Sequence, residues 1–390
     1  MKILIISSNS NGSGGGEQYL VYLAKGLKAR GHEVVILLSD KGYMDIWENR
    51  FKKEEIKTKR AKLTGLCERP LRFLGSIGDF RQKNLVTSIC DKVKPDVIHV
   101  NQQYDADGID YIMGAMKYGK VPIVSTIHMP MSLTKHPRPA GIRTLLTRMF
   151  FIDKMKTLFL RKWYKTHDYF KIFLTGAMKN EFTSVYGNGK YAELVTNGVD
   201  VSKITFSNHK KDIIGFCGRL DAQKDLFLLI EAWLNARKKG LPHKLLFVGD
   251  GVLRAKIENE LKRKSPAGSW RITGWVDNPF DYLKDMALFV GTSIFEGCPF
   301  ALLEAACAGR RCVCIEFPGA SEIAERIPFL ALINSRNPER LSEAIIENAN
   351  RPEPDDETIK RVRDFFSCER MAKDTLSVYE KAVKTWKTQD

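Results

Sequence analysis

Short apolar runs alternate along the whole chain with longer stretches of helical period. Lys2-Ile-Leu-Ile-Ile6 predicts a first strand and is too short for a signal-peptide core. It runs into Asn9-Ser-Asn-Gly-Ser-Gly-Gly-Gly16, a glycine-rich turn. Residues 17–30 then place apolar side chains at 20, 23, 24 and 27, one face of a helix that Gly31 closes. Residues 32–39 give the next strand. Residues 40–70 show no usable period and are taken as irregular, and 71–93 as helix. Further strands are predicted at 96–101, 122–128, 171–175 and 193–196. Helices are predicted over 106–118, 141–167 and 176–186, with a Pro/His-rich loop over 129–140. Asn197-Gly198 marks a turn.

A polar segment leads into a second alternation. Its strands fall at 212–217, 244–248, 270–274, 287–291, 311–317 and 329–333. Its helices fall near 223–239, 252–264, 279–285, 301–308, 321–327, 338–349, 356–366 and 369–388. This order predicts an α/β protein with two doubly wound, parallel-sheet, Rossmann-like domains. The boundaries are 1–200 and 212–368, with 201–211 as linker. Ligands of such sheets bind beyond the C-terminal strand ends, so two facing domains would share one site in the cleft between them.

A length of 390 residues agrees with two cores. The balance of 44% hydrophobic to 28% charged residues is that of a globular chain, and no apolar run is long enough to span a membrane. Eight cysteines without CxxC pairs or zinc spacing predict reduced thiols in a cytoplasmic protein. The net charge of +16 is uneven: residues 1–200 carry 32 basic against 19 acidic side chains, residues 201–390 carry 30 against 27. Basic excess in the first half suits an anionic partner, or is simply a soluble basic surface. A nucleic-acid partner is set aside, because the chain shows no binding motif for one.

The candidate chemistry clusters at predicted strand ends. Ser293-Ile-Phe-Glu-Gly-Cys-Pro-Phe-Ala-Leu-Leu-Glu-Ala-Ala-Cys-Ala-Gly309 predicts a loop and a helix carrying Glu296 and Glu304, with seven residues between them. The amides of Gly297, Cys298, Pro299's neighbours and Phe300 open that helix, which suits an anion. The carboxylates only accept hydrogen bonds, so they suit sugar or ribose hydroxyls. Arg219 and Lys224 flank the turn after the first strand of the second half, and two cations beside a helix start suit a diphosphate. Gly15 and Gly16 permit close backbone approach, but the run lacks GxGxxG spacing, which argues against a nicotinamide cofactor. His128 ends a strand, where a functional and a structural histidine are both open readings. Asp105-Ala-Asp107 matches a DxD metal pair in form only, with nothing beside it to complete a shell.

Taken together, these segments resemble glycosyltransferase family 4, the retaining, nucleotide-sugar-dependent family of GT-B fold. The resemblance covers most of the chain. It rests on Gly15-Gly16-Glu17, Asp96-Val-Ile-His-Val, His128, Val195-Thr-Asn-Gly-Val-Asp200, Gly218-Arg219 with Lys224, Val248-Gly-Asp-Gly251, and Glu296 with Glu304. It implies a sugar transferred from a UDP- or GDP-linked donor to an acceptor hydroxyl, with no metal and no separate cofactor. It implies that Glu304 meets the ribose, Glu296 and the following amides the sugar, and Arg219 and Lys224 the diphosphate. Gly15 and Gly16 would approach the diphosphate, His128 would contact the sugar, and the base would lie near Trp275 and Val276. No residue can be assigned as a carboxylate nucleophile, so the family's front-face substitution is what the resemblance implies. The helix 369–390 would cross back onto the first domain.

The acceptor is expected on the basic first half. Residues 141–171 interleave Arg143, Arg148, Lys154, Lys156, Arg161, Lys162, Lys165 and Lys171 with aromatic residues. Such a helix can lie on an anionic bilayer, or it can be an ordinary amphipathic helix with its aromatic face in the core. The expectation is an enzyme of polysaccharide, lipopolysaccharide or glycolipid synthesis, cytoplasmic or peripheral at the membrane's cytoplasmic face. A small soluble acceptor such as an aminocyclitol, and a nucleotide-sugar epimerase or hydrolase of the same architecture, remain alternatives. A phosphorylase would need a pyridoxal phosphate lysine, and no such site is apparent.

Overall fold

The structure is a computed structural model that describes residues 1–8, 14–65, 78–129, 152–187, 189–204 and 212–388. The chain divides into two compact units, Met1–Asn197 with Glu369–Asp390, and Gly198–Cys368.

Among the described residues the first unit holds seven parallel strands in the order β3-β2-β1-β4-β5-β6-β7. They are β1 (Lys2–Ser7), β2 (Glu33–Ser39), β3 (Lys57–Ala61), β4 (Val97–Gln102), β5 (Ile123–Ile127), β6 (Phe170–Phe173) and β7 (Ala192–Leu194). β1 and β4 are central and buried, which is why β1 reads as the apolar run Ile3–Ile6, while β4 buries His99, Asn101 and Gln102 among its valines and isoleucine. Helix ends follow local chemistry. Asp79 accepts from the amides of Arg81 and Gln82 to start the helix Phe80–Val93, and left-handed Lys94 closes it.

The helix Cys368–Lys387 returns to this first sheet. Arg370 donates to the carbonyls of Thr196 (2.9 Å) and Asn197 (3.0 Å). Further along, the Tyr379 hydroxyl meets His99 Nδ1 at 2.5 Å, and His99 Nε2 meets Thr126 Oγ1 at 2.9 Å. All three side chains are fully buried. A side-chain chain thus ties the last helix to the centre of the sheet.

The second unit holds six parallel strands in the order β10-β9-β8-β11-β12-β13. They are β8 (Ile213–Cys217), β9 (Lys244–Val248), β10 (Trp270–Ile272), β11 (Leu288–Gly291), β12 (Arg311–Ile315) and β13 (Leu330–Ile333). Its core gathers Phe216, Leu229, Trp233, Phe247, Val290 and Val313 between sheet and helices. In both sheets the order reverses beside the central strand, which opens a crevice at the C-terminal strand ends.

Three expectations need correction. Residues 40–70 are not irregular where described: a helix runs over Asp45–Lys53 and β3 over Lys57–Ala61. Trp47 and Phe51, one turn apart, bury that helix, each burial worth roughly 1.5–3 kcal/mol. The helix predicted from 71 begins at Phe80, and 66–77 lie outside the described residues. Lys171 does not belong to a basic surface. It lies buried in β6, where Nζ donates to the Tyr169 carbonyl at 2.8 Å and burial lowers its pKa to about 8. The Pro/His-rich loop and the 141–151 part of the basic helix lie outside the described residues. The described part, Ile152–Thr166, buries Leu160, Trp163 and Tyr164 and exposes Met155 and Leu158.

Candidate functional site

The second unit assembles its candidate residues from loops that leave β8, β9 and β11 at their C-terminal ends. β8 ends at Cys217, and Gly218 (φ 145°) turns the chain into Arg219. The β9 loop is laced to this turn by backbone bonds. Gly218 N donates to Val248 O (2.9 Å) and Leu220 N to Asp250 O (2.9 Å). Gly249 (φ 142°) packs so closely that a methyl group there would land on the Gly218 carbonyl oxygen. Val248-Gly-Asp-Gly251 is therefore a packing element that fixes the Gly218-Arg219 turn.

Beyond Arg219, a short 3-10 turn over Ala222–Lys224 precedes the helix Leu226–Lys238. Asp221 caps the turn by accepting from Gln223 N at 3.1 Å, and its carboxylate lies 3.3 Å from the Arg219 guanidinium. Lys224 reaches the β11 loop, where Nζ donates to Glu296 Oε1. The two side chains are 16% and 10% exposed, so water screens this pair only partly. The loops are sewn together around it. Gln223 Nε2 donates to Phe295 O (3.0 Å), Ile294 N to Gln223 O (2.8 Å), and Thr292 Oγ1 to Lys224 O (2.7 Å).

Glu304 sits in the helix Phe300–Cys307, which starts after Pro299 with no side chain capping it. Gly297 and Cys298 are buried just before that start, and Phe300 is buried in its first turn. Glu304 is itself 5% exposed. Cys217 lies within electrostatic reach of both ends of the constellation. Burial raises its thiol pKa most, Glu304 raises it further, and Lys224 lowers it. Lys224, Glu296 and Glu304 thus converge on the end of β8. Arg219 is turned toward Asp221 instead. Trp275 is 45% exposed on the loop after β10, with Val276 half-buried beside it.

In the first unit, His128 follows β5 and is buried. Its Nε2 meets Asn101 Oδ1 at 2.6 Å, and its ring packs edge-on to Tyr19 at 4.6 Å. Burial lowers its pKa to about 3, so the imidazole is neutral near pH 7. The Asn101 amide in turn donates to Gly16 O at 3.2 Å. Gly15 and Gly16 form the first turn of the helix Gly15–Ala29, Gly15 exposed and Gly16 buried. Asn101 therefore joins two candidates that the sequence left separate. Its signal was its place at the C-terminal end of β4. Asp105 and Asp107 do not form a metal pair. Asp105 accepts from the Tyr186 hydroxyl and lies 3.8 Å from Lys156 Nζ, while Asp107 accepts from Tyr104 N at 3.2 Å.

Comparisons with known proteins bear on the family and the fold. Residues 13–203 match the family described as Glycosyltransferase Family 4, and residues 211–350 the family described as Glycosyl transferases group 1. The amylovoran biosynthesis glycosyltransferase of Erwinia amylovora is 34% identical over 88 residues, 23% of this chain and 24% of that protein. The N-acetylgalactosamine-N,N'-diacetylbacillosaminyl-diphospho-undecaprenol 4-alpha-N-acetylgalactosaminyltransferase of Campylobacter jejuni is 28% identical over 140 residues. That alignment spans 34% of this chain and 38% of that protein. Both alignments thus span well under half of the relative's own length. Among solved structures, Anabaena HepE in complex with UDP and glucose superposes with a TM-score of 0.70 at 17% identity, covering 99% of each chain.

Proposed function

Because the chain belongs to the family 4 glycosyltransferases of GT-B fold, we propose that it moves a sugar from a nucleoside-diphosphate sugar to an acceptor hydroxyl, with retention. The observation that carries this reading is the Lys224–Glu296 pair at the C-terminal end of the second sheet, beside a helix start without a side-chain cap. A cation, a carboxylate and a set of helix amides match a diphosphate with a sugar attached. As the bond from sugar to phosphate breaks, negative charge grows on the leaving diphosphate. Lys224 and the helix amides stabilise it, and Arg219 adds its charge on leaving Asp221, with no divalent ion required. Glu296 holds sugar hydroxyls and Glu304 the ribose diol. In the first unit, His128 is neutral and donates Nε2–H to Asn101 Oδ1, which leaves Nδ1 to accept from a hydroxyl without adding a charge.

UDP is the favoured nucleotide, since HepE was solved with UDP and with UDP-glucose. Titration with UDP and GDP tests the donor reading: one of them should bind at micromolar concentration, and binding of neither overturns it. Thermal-shift screening of nucleotide sugars then identifies the sugar.

For the acceptor we favour a growing cell-surface polysaccharide or a lipid-linked glycan. The named relatives act in amylovoran synthesis and on a diphospho-undecaprenol glycan. Among the described residues no helix is long and apolar enough to cross a membrane. The helix Ile152–Thr166 exposes Met155 and Leu158 together with Arg161, Lys162 and Lys165. Apolar and basic side chains on exposed positions of one helix suit an anionic lipid surface. The protein should float with vesicles containing phosphatidylglycerol at low salt, and Leu158→Asp should weaken that association several-fold. No flotation of the wild type at low salt removes the membrane from this reading.

A further inference from the structure

Arg336 lies outside every motif considered so far, in the segment that follows β13. Its guanidinium makes four donations. Nε (3.2 Å) and Nη2 reach Asp225 Oδ2, Nη2 also reaches Thr292 O (2.7 Å), and Nη1 reaches Ser293 O (3.3 Å). The fork spans two loops. Asp225 is the residue after Lys224, and Thr292 and Ser293 lead into Glu296.

Asp225 is also conformationally unusual. It is one of three non-glycine residues with positive φ among those described, at φ 44° and ψ 53°. A left-handed aspartate costs more than a glycine there, so the turn needs a partner to hold it. Arg336 supplies that partner through two donations to one carboxylate oxygen, Asp225 Oδ2, and extends the same plane of donors to the facing loop. Lysine, with a single point of charge, could satisfy one side only.

We infer that Arg336 is a positioning residue for donor turnover: its guanidinium, clamped between Asp225 and the carbonyls of Thr292 and Ser293, sets the distance between Lys224 and Glu296. The inference rests on the donor reading of those two residues. Diphosphate binding alone tolerates some movement, because the four-carbon stem of Lys224 can follow its ligand. Transfer does not, because diphosphate and sugar must be held at one fixed separation while the bond between them breaks. A misplacement of about 1 Å can lower the rate by two orders of magnitude.

The experiment compares wild type, Arg336→Ala and Arg336→Lys. UDP or GDP titration counts binding-competent sites. Turnover is the release of nucleoside diphosphate from whichever of UDP-glucose, UDP-N-acetylglucosamine and GDP-mannose the wild type consumes fastest. Arg336→Ala should keep nucleotide affinity within about threefold while kcat per competent site falls about tenfold or more. Arg336→Lys should recover part of kcat. A residue that only supports the fold would instead lower the melting temperature and the number of competent sites, with kcat per site unchanged. That outcome, or kcat per site within twofold of wild type in Arg336→Ala, overturns the inference. If Arg336→Ala does not fold, Arg336→Lys is judged by the same kcat per site. Wild type that binds neither UDP nor GDP removes the donor reading itself and the inference with it, a result distinct from a failure confined to the variants.

Discussion

Replacing Lys224 with alanine lowers the affinity for a nucleoside diphosphate by about 10- to 100-fold, measured by calorimetric titration. A charge-assisted hydrogen bond contributes about 1.5–3 kcal/mol, and each 1.4 kcal/mol is tenfold in binding. The variant has a second defect. It strands Glu296, whose side chain is only 10% exposed, without its cation. A partly buried carboxylate that loses its partner destabilises the fold, so the melting temperature should fall as well. Lys224→Ala with Glu296→Gln separates the two effects: the neutral amide restores thermal stability and leaves the affinity low. Glu304→Ala makes a complementary case. It should weaken UDP or GDP binding about tenfold and leave inorganic pyrophosphate binding unchanged, as the proposed contact with the ribose requires. Unchanged nucleotide affinity in both Lys224→Ala and Glu304→Ala would sink the assignment of this site.

Gly249→Ala is the second large effect, and it acts on stability. The residue has φ 142°, a conformation that L side chains avoid, and the added methyl would meet the Gly218 carbonyl oxygen. The obstacle is backbone, not the end of a flexible side chain, so the Gly218-Arg219 turn must shift. Strain and overpacking together cost roughly 3 kcal/mol or more. Gly268→Ala is the matched control. It also has positive φ (76°), but its Cβ would have nothing within 4 Å, so only the conformational cost of about 1 kcal/mol remains. Chemical denaturation should separate the two variants by about 2 kcal/mol or more. Equal midpoints would show that the β9 loop gives way easily.

The central strands were legible because burial on both faces leaves a continuous apolar run, as in Ile3–Ile6 and Leu245–Val248. β3 was not. Its Lys-Thr-Lys-Arg-Ala carries three charges because it is an edge strand, paired among the described residues to β2 alone, and charge on an edge discourages further pairing. The helix before it carried a usable sign in Trp47 and Phe51, spaced by one turn, which the surrounding charge hid. Lys171 misled in the other direction. Composition counts a lysine as surface, but here its stem fills a strand position and its ammonium finds a carbonyl and the Tyr169 ring at 4.2 Å. Short motifs marked Lys224, Glu296 and Glu304, which the structure brings together, and Arg219, which it pairs with Asp221. The partners that hold those motifs were not marked, because the contacts of Asn101, Gln223, Asp225 and Arg336 join segments distant in sequence.

The return of the last helix to the first sheet has a consequence for how the chain is made. His99 and Thr126 leave the ribosome early, but the Tyr379 hydroxyl that completes their hydrogen-bonded chain arrives more than 250 residues later. The second unit, Gly198–Cys368, is synthesised in between as one uninterrupted piece. It can close on itself while the first unit still waits for its final element. A nascent chain that has not yet made this helix would therefore present a first sheet without its Tyr379 contact, a species for chaperones to hold.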